Sequence, residues 1–311
     1  MGTDYIEIPH NMEELAPYAV TSREKAVTEI LGKEKCYFYD ACSFRRHANL
    51  EPNEAEYLLR YIKSQNGIIS ITRCILMELA SHSGVLCQEY VAYAKHINEY
   101  GIVFLIIYEE DLFSVLEAVF SANVVINNYL CWAVRMVKSP VSTIAETLWQ
   151  NRELQDEVIK GRNLGQRDVY KHFFEAVRGR KEAGDNLGEE LLAVCLHILS
   201  HIPGEKDGKF CVITDDKGAA GKIDALFKKT ARQHRGKKII IFSTPKLVQV
   251  LYRENILLDK EHIKTILNSG INGNVAVLGT RIFDIQNREI SITSEELAEL
   301  IMQPNGINIV F

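Results

Sequence analysis

A three-layer α/β/α sandwich around a central, mainly parallel sheet is the fold class this sequence predicts, with a helical insertion and a small β-rich C-terminal appendage. Short apolar runs at 36–39, 67–72, 102–108, 210–214 and 238–242 are each followed by a helical pattern, and strands alternating with helices build parallel βαβ units. At 311 residues the chain exceeds one average domain, which leaves room for additions around a single α/β core. Its 47% hydrophobic and 25% charged residues are an ordinary globular composition, so disorder does not account for any long stretch.

Thr21 and Glu24 are spaced as a capping box, which starts a helix running to about Gly32. Cys36 to Tyr39 reads as a short buried strand with Asp40 at its C-terminal end, followed by the small residues Ala41, Cys42 and Ser43. A helix over 52–64 leads to an isoleucine-rich strand at 67–72, and Glu78 falls one helical turn later. The strand 102–108 and a helix from Glu109 make a third β-α pair. From 113 to 182 the pattern stays mostly helical, and we read it as an insertion or cap that shapes substrate access. A helix from Leu187 to about His201 precedes the strand 210–214, which ends in Asp215 and Asp216. The strand 238–242 and helices across 244–268 complete the unit. Residues 1–35 then form an N-terminal extension, 36–269 the main domain, and 270–311 the appendage, in which 281–292 alternates like a hairpin around Asn287-Arg288.

The start lacks a basic stretch followed by an apolar one, and no apolar run approaches a membrane span. A cytoplasmic protein with no membrane partner is expected. Seven scattered cysteines, odd in number and without a C-x-x-C pair, fit buried free thiols in a reducing compartment. The net charge of −5 argues against simple electrostatic coating of nucleic acid. Lys and Arg nevertheless concentrate at 160–181 and 217–238, on either side of acidic positions.

Those acidic positions are Asp40, Glu78, Glu189 with neighbours Asp185 and Glu190, and Asp216 with Asp215. Taken singly, an acid after a strand is as well explained as an N-cap, and Glu78 alone as a solvated helix residue. On the helix, Glu189 shares a stripe with Leu192, Ala193 and Leu196, whereas Glu190 lines up with His197 and His201; the spacing therefore expects Glu189 on the core side. If the first and fourth strands are neighbours, the carboxylates converge at the carboxyl ends of the strands, where open α/β sheets place their chemistry. Close carboxylates repel unless a cation neutralises them, and such hard oxygen ligands suit Mg²⁺ or Mn²⁺.

The chain resembles the PIN-domain superfamily of nucleases. CYFYDACSF at 36–44 looks like the first strand with its acidic residue, and ITRCILMELA at 71–80 like the second strand and its glutamate-bearing helix. NLGEELLAVCLHIL at 186–199 is similar to the Gly-Glu variant of the third acidic motif, and FCVITDDKGAAGKI at 210–223 to the Thr-x-Asp motif. The resemblance continues into the last strand and closing helices and covers roughly 36–112 and 183–269. It implies a metal-dependent endoribonuclease in which Asp40, Glu78, Glu189 and Asp216 hold Mg²⁺ or Mn²⁺, with Ser43 and Thr214 as supporting polar residues. Asp215 stays open as the fourth ligand, although Thr-x-Asp spacing favours Asp216. Single-stranded or structured RNA is the implied substrate, a toxin or defence effector the implied role, and a protein inhibitor or antitoxin the implied partner.

Arg45, Arg46, Lys217, Lys222, Lys228 and Lys229 flank the acids and would contact phosphates; the other reading is a solvated helix face. Arg167 to His172 is similar to the Arg-x4-His motif of metal-independent HEPN ribonucleases, a match short enough to arise by chance. His197 and His201 have the spacing of half a zinc site but lack partners at familiar spacing. The alternating tail leaves a homo-oligomer open. Two other functions compete: a non-catalytic RNA-binding scaffold of the same fold, and a DNA-cleaving nuclease, since lysines on phosphates do not read the 2′-hydroxyl.

Overall fold

The computed structural model describes residues 5–137, 142–268, 273–282 and 284–311. Parts of the extension (1–4), of the insertion (138–141), of the junction between main domain and tail (269–272) and of the predicted hairpin (283) lie outside the described residues. The chain begins with α1 (Met12–Leu15), β1 (Ala19–Val20), α2 (Arg23–Gly32), β2 (Lys35–Tyr39), α3 (Ala41–Ala48), α4 (Pro52–Ser64), β3 (Gly67–Thr72), α5 (Arg73–Ala80), α6 (Gln88–Glu99) and β4 (Phe104–Ile107). The insertion supplies α7 (Leu112–Glu117), α8 (Asn123–Met136), α9 (Thr143–Gln150), α10 (Arg152–Val158) and α11 (Val169–Arg178). Then follow α12 (Leu187–Leu199), β5 (Phe210–Ile213), α13 (Lys217–Thr230), β6 (Ile240–Phe242), α14 (Thr244–Arg253) and α15 (Lys260–Asn268). The tail contains β7 (Val275–Arg281), β8 (Arg288–Ile292), α16 (Ser294–Met302) and β9 (Ile307–Ile309).

The six strands of the main sheet run in the order β1-β4-β3-β2-β5-β6, all parallel. The inner strands β3, β4 and β5 are buried along their whole length, as parallel strands covered on both faces must be. Alternate residues feed two cores. Tyr37, Tyr39, Ile69, Ile71, Phe104 and Ile213 pack into one; Cys36, Phe38, Ile68, Leu105, Phe210 and Val212 pack into the other. The insertion's helices cover the second face. The small antiparallel sheet β8-β7-β9 has no core of its own, because Val275, Val277, Ile290 and Ile307 join the first cluster.

Three local expectations shift. Ser22, not Thr21, caps α2, accepting from Lys25 N. The N-terminal segment adds an edge strand, β1, to the sheet. The hairpin is β7 with β8, so its first strand starts near Val275, before the stretch that alternates. All seven cysteines are free, and five of them are buried. Among the described residues no helix is long and apolar enough to cross a membrane.

Candidate active site

β2 and β5 are neighbours, with Tyr39 opposite Ile213, so the residues that follow each strand leave the sheet side by side. Asp40 ends β2 and caps α3, accepting from Cys42 N at 2.5 Å. Its other oxygen accepts from the Thr214 hydroxyl and faces the Cys42 thiol at 3.3 Å. The same Thr214 oxygen accepts from Asp216 N at 3.1 Å. One threonine thus links the two acids across the strand pair. Asp216 caps α13, accepting from Gly218 N and Ala219 N, and its residue is exposed.

Glu78 reaches the crevice from α5 and Glu189 from the first turn of α12. Gly188 lets the Glu78 carboxylate lie against the start of α12: a Cβ there would lie 2.8 Å from the Glu78 Cδ. Lys181 Nζ sits 3.1 Å from Glu78 Oε1 and also pairs with Asp185. Lys222 pairs with Glu189.

Three of the acids, Asp40, Glu78 and Glu189, have raised pKa values. Burial pushes the Asp40 pKa up against the hydrogen bonds from Thr214 and Cys42, and the charge of Asp216 adds to the rise. Burial likewise raises Glu78 against Lys181, with Asp40 and Asp185 adding to the rise. Glu189 is raised by burial, opposed by Lys222, and raised further by Asp216 and Asp40. Such mutual elevation is the electrostatic mark of acids gathered in one low-dielectric place.

Asp215 points away from them. Its oxygens accept from Thr244 N and Thr244 Oγ1, both at 2.6 Å, and from Arg46 at 3.1 Å. Burial alone would raise it, but Arg46 and the Thr244 donors hold it below the ordinary carboxylate value. Asp215 is therefore engaged within the fold, and of the pair it is Asp216 whose charge acts on Asp40 and Glu189. Thr244 continues the network to His47 at 2.9 Å, and His47 to the Tyr39 hydroxyl at 3.0 Å.

Other predicted residues separate by role. Arg46, read as a phosphate contact, is 7% exposed at its side chain and is spent on Asp215 and the carbonyls of Ile266 and Leu267; a guanidinium so enclosed cannot reach a ligand outside. Arg45 is exposed and donates to the Glu78 carbonyl. Ser43 is fully buried and its hydroxyl faces the Cys42 thiol at 3.8 Å, while it is the Cys42 thiol that contacts Asp40. Lys228 pairs with Asp224 and Lys217 with Glu289, all on the surface. Lys229 makes no ion pair among the described residues. The stripe of Leu192, Ala193 and Leu196 is buried as expected, but so is the other face of α12: Glu190 is 4% exposed and accepts from Ser142 Oγ and Ile144 N. The insertion covers the side of α12 that its sequence marks as polar, so the helix is enclosed on both faces, which periodicity alone does not show.

Lys217, Lys222 and Lys229 share a groove of about 390 Å³ with Gly221, Met136 and Val137. The end of the insertion's α8 thus forms one wall, α13 the other, and Lys222 joins groove to crevice. Arg167 and His172 are held apart in role, Arg167 on Glu117 and His172 on Glu157. Burial drives the His197 pKa down to about 3 and that of His201 to about 4, and both pack among aromatic rings.

No family model, curated protein or solved structure matches the chain. What the crevice can do follows from its own residues. Among the described residues no three His, Cys, Asp or Glu side chains stand close enough together to hold a metal ion. The donors nevertheless fit a hard divalent cation in kind: they are carboxylates, partly buried and mutually repelling. In the arrangement seen, the ammonium groups of Lys181 and Lys222 supply the positive charge.

Proposed function

We propose that this protein is a divalent-cation-dependent nuclease that hydrolyses phosphodiester bonds of RNA. The observation that supports it most is the placing of Asp40, Glu78, Glu189 and Asp216, from four separate elements, within electrostatic reach of one another beside a lysine-lined groove. These four would hold Mg²⁺ or Mn²⁺, which when bound activates water and offsets charge on the phosphate. Thr214 fixes Asp40 relative to Asp216 by touching both. Lys217, Lys222 and Lys229 would bind backbone phosphates along α13, and Gly221 would let the strand approach the helix closely. RNA as substrate, and a role as toxin or defence effector with a protein inhibitor, rest on the resemblance to PIN-domain nucleases.

The pairing of Glu78 and Glu189 with lysines favours one other reading, a nucleic-acid-binding scaffold without cleavage. A panel of RNA and single-stranded DNA of one sequence, incubated with Mg²⁺, Mn²⁺ or EDTA, decides between them. The nuclease is expected to cut RNA only with metal, and Asp40→Asn or Asp216→Asn to lower the rate at least about 100-fold. Binding with no cutting would establish the scaffold, cutting of DNA alone would overturn the substrate, and cutting in EDTA would overturn the metal.

A further inference from the structure

The four acids divide into two pairs. Among the described residues, Asp40 and Asp216 accept only from neutral donors, namely the Cys42 amide and thiol, the Thr214 hydroxyl, and the Gly218 and Ala219 amides. Glu78 and Glu189 each hold an ammonium. Neither lysine is an ordinary surface one. The Lys181 side chain is 3% exposed, just past the end of α11, where it serves Glu78, Asp185 and the Glu182 carbonyl together. Lys222 projects from α13 between Glu189 and the groove. Counting Asp185, five carboxylates surround two ammonium groups, so the crevice is under-neutralised even with both lysines in place.

Two properties suit these lysines to leaving. An ammonium is a compact point charge on a flexible stem with three rotatable donors, unlike the fixed fork of arginine. Each also has somewhere to go: Lys181 retains Asp185, and Lys222 lies on the wall of the groove assigned to phosphates. A divalent ion drawn in by Asp40 and Asp216 would compete for Glu78 and Glu189 with the same charges that now hold them.

We infer that Lys181 and Lys222 are resident counter-ions of the crevice, which a divalent cation must displace from Glu78 and Glu189, so that these two lysines set the affinity for metal. The inference rests on the reading of the crevice as a metal-dependent site. Released Lys222 becomes a phosphate ligand, which couples metal loading to substrate binding. Lys181 and Lys222 are positioning residues in this account, and their effect is on metal affinity first.

Mn²⁺ binding to the full chain, followed by titration calorimetry and by the electron paramagnetic resonance of free Mn²⁺, tests this without any measurement of cleavage. Lys222→Met is expected to bind Mn²⁺ about ten times more tightly than wild type, the scale on which groups around a metal site act. Lys95→Met, which removes an exposed pair with Glu99, serves as the control and is expected to match wild type. Lys181→Met should act like Lys222→Met; if burial prevents it from folding, Lys222→Met alone decides. Equal or weaker binding by Lys222→Met, with wild type binding normally, overturns the counter-ion role and leaves the metal reading standing. Binding by the variant when wild type binds none supports the role, and no binding by either overturns both.

Discussion

Two clusters of charge sit at the same edge of the sheet, and they are built in opposite ways. At the end of β4, Arg178, with no exposed side-chain surface, is held by Glu109 at 2.7 Å, by Glu110 at 2.5 and 2.9 Å, and by Glu7 at 3.0 Å. Glu109 also accepts from Cys74 N at 2.8 Å. This cluster uses a rigid guanidinium with its donors engaged, and it ties the N-terminal segment, the sheet edge and the insertion together. At the ends of β2 and β5, the cations are lysines on flexible stems, each pairing with one or two of the acids, and Asp216 stays exposed. A cluster whose carboxylates close around one enclosed guanidinium serves the fold; a cluster with an exposed carboxylate and flexible cations retains the capacity to bind something positive.

The largest contrast should appear in stability. Arg178→Met leaves buried carboxylates without a partner and is expected to cost about 3–5 kcal/mol, read by urea unfolding. Lys222→Met, a partly exposed pair, is expected to cost no more than about 1 kcal/mol. Equal losses would erase the distinction between the two clusters.

Gly188→Ala sharpens the comparison from within the crevice. Alanine is the better helix former by about 1 kcal/mol, yet its Cβ would press on the Glu78 carboxylate. Cleavage should fall on the order of tenfold or more, because small displacements in a site are costly, while far-ultraviolet circular dichroism stays unchanged. Full activity in this variant would remove Glu78 from the working group.

The smallest effect is a difference in the sign of pH dependence between two acids. Asp215 has a lowered pKa in the fold, so its contribution is present above the ordinary carboxylate value and is lost as pH falls through the lowered one. Asp40 has a raised pKa: the fold favours its protonated form, and stability falls as pH rises from the ordinary value through the raised one. Without divalent cation, Asp40→Asn should therefore be more stable than wild type at neutral pH, the gain vanishing below the ordinary carboxylate range. Asp215→Asn should be less stable at neutral pH and show a flatter acid limb. Thermal unfolding across pH 3–8 reads both.

Much of this arrangement was legible in the residues. Runs such as Gly67–Thr72 and Pro52–Ser64 carry their own boundaries in glycine, proline and periodicity, and a strand ending in Asp40 or Thr214-Asp215-Asp216 marks the sheet edge where chemistry collects. What stayed hidden depends on contacts distant in sequence. Asp215 and Asp216 look alike until β6 brings Thr244 beside the first. Arg46 looks like a phosphate ligand until α15 lays its carbonyls across it. Glu190 looks solvated until the insertion folds over α12. Lys181 gave no signal, since nothing in its local sequence pairs it with Glu78, and Gly188 hinted at its own role only through the Gly-Glu pattern.

The chain's two tryptophans sit in unlike surroundings. Trp149 is 84% exposed, so its emission is that of an indole in water. Trp132, on α8, lies flat against His234, with ring centroids 3.6 Å apart and planes 4° from parallel. His234 belongs to the basic segment after α13, next to the lysine-lined face. Any occupant that lifts this segment from α8 separates the two rings and changes the Trp132 emission while leaving that of Trp149 constant. The protein thus carries its own optical gauge of what happens along α13, with a second fluorophore as internal reference.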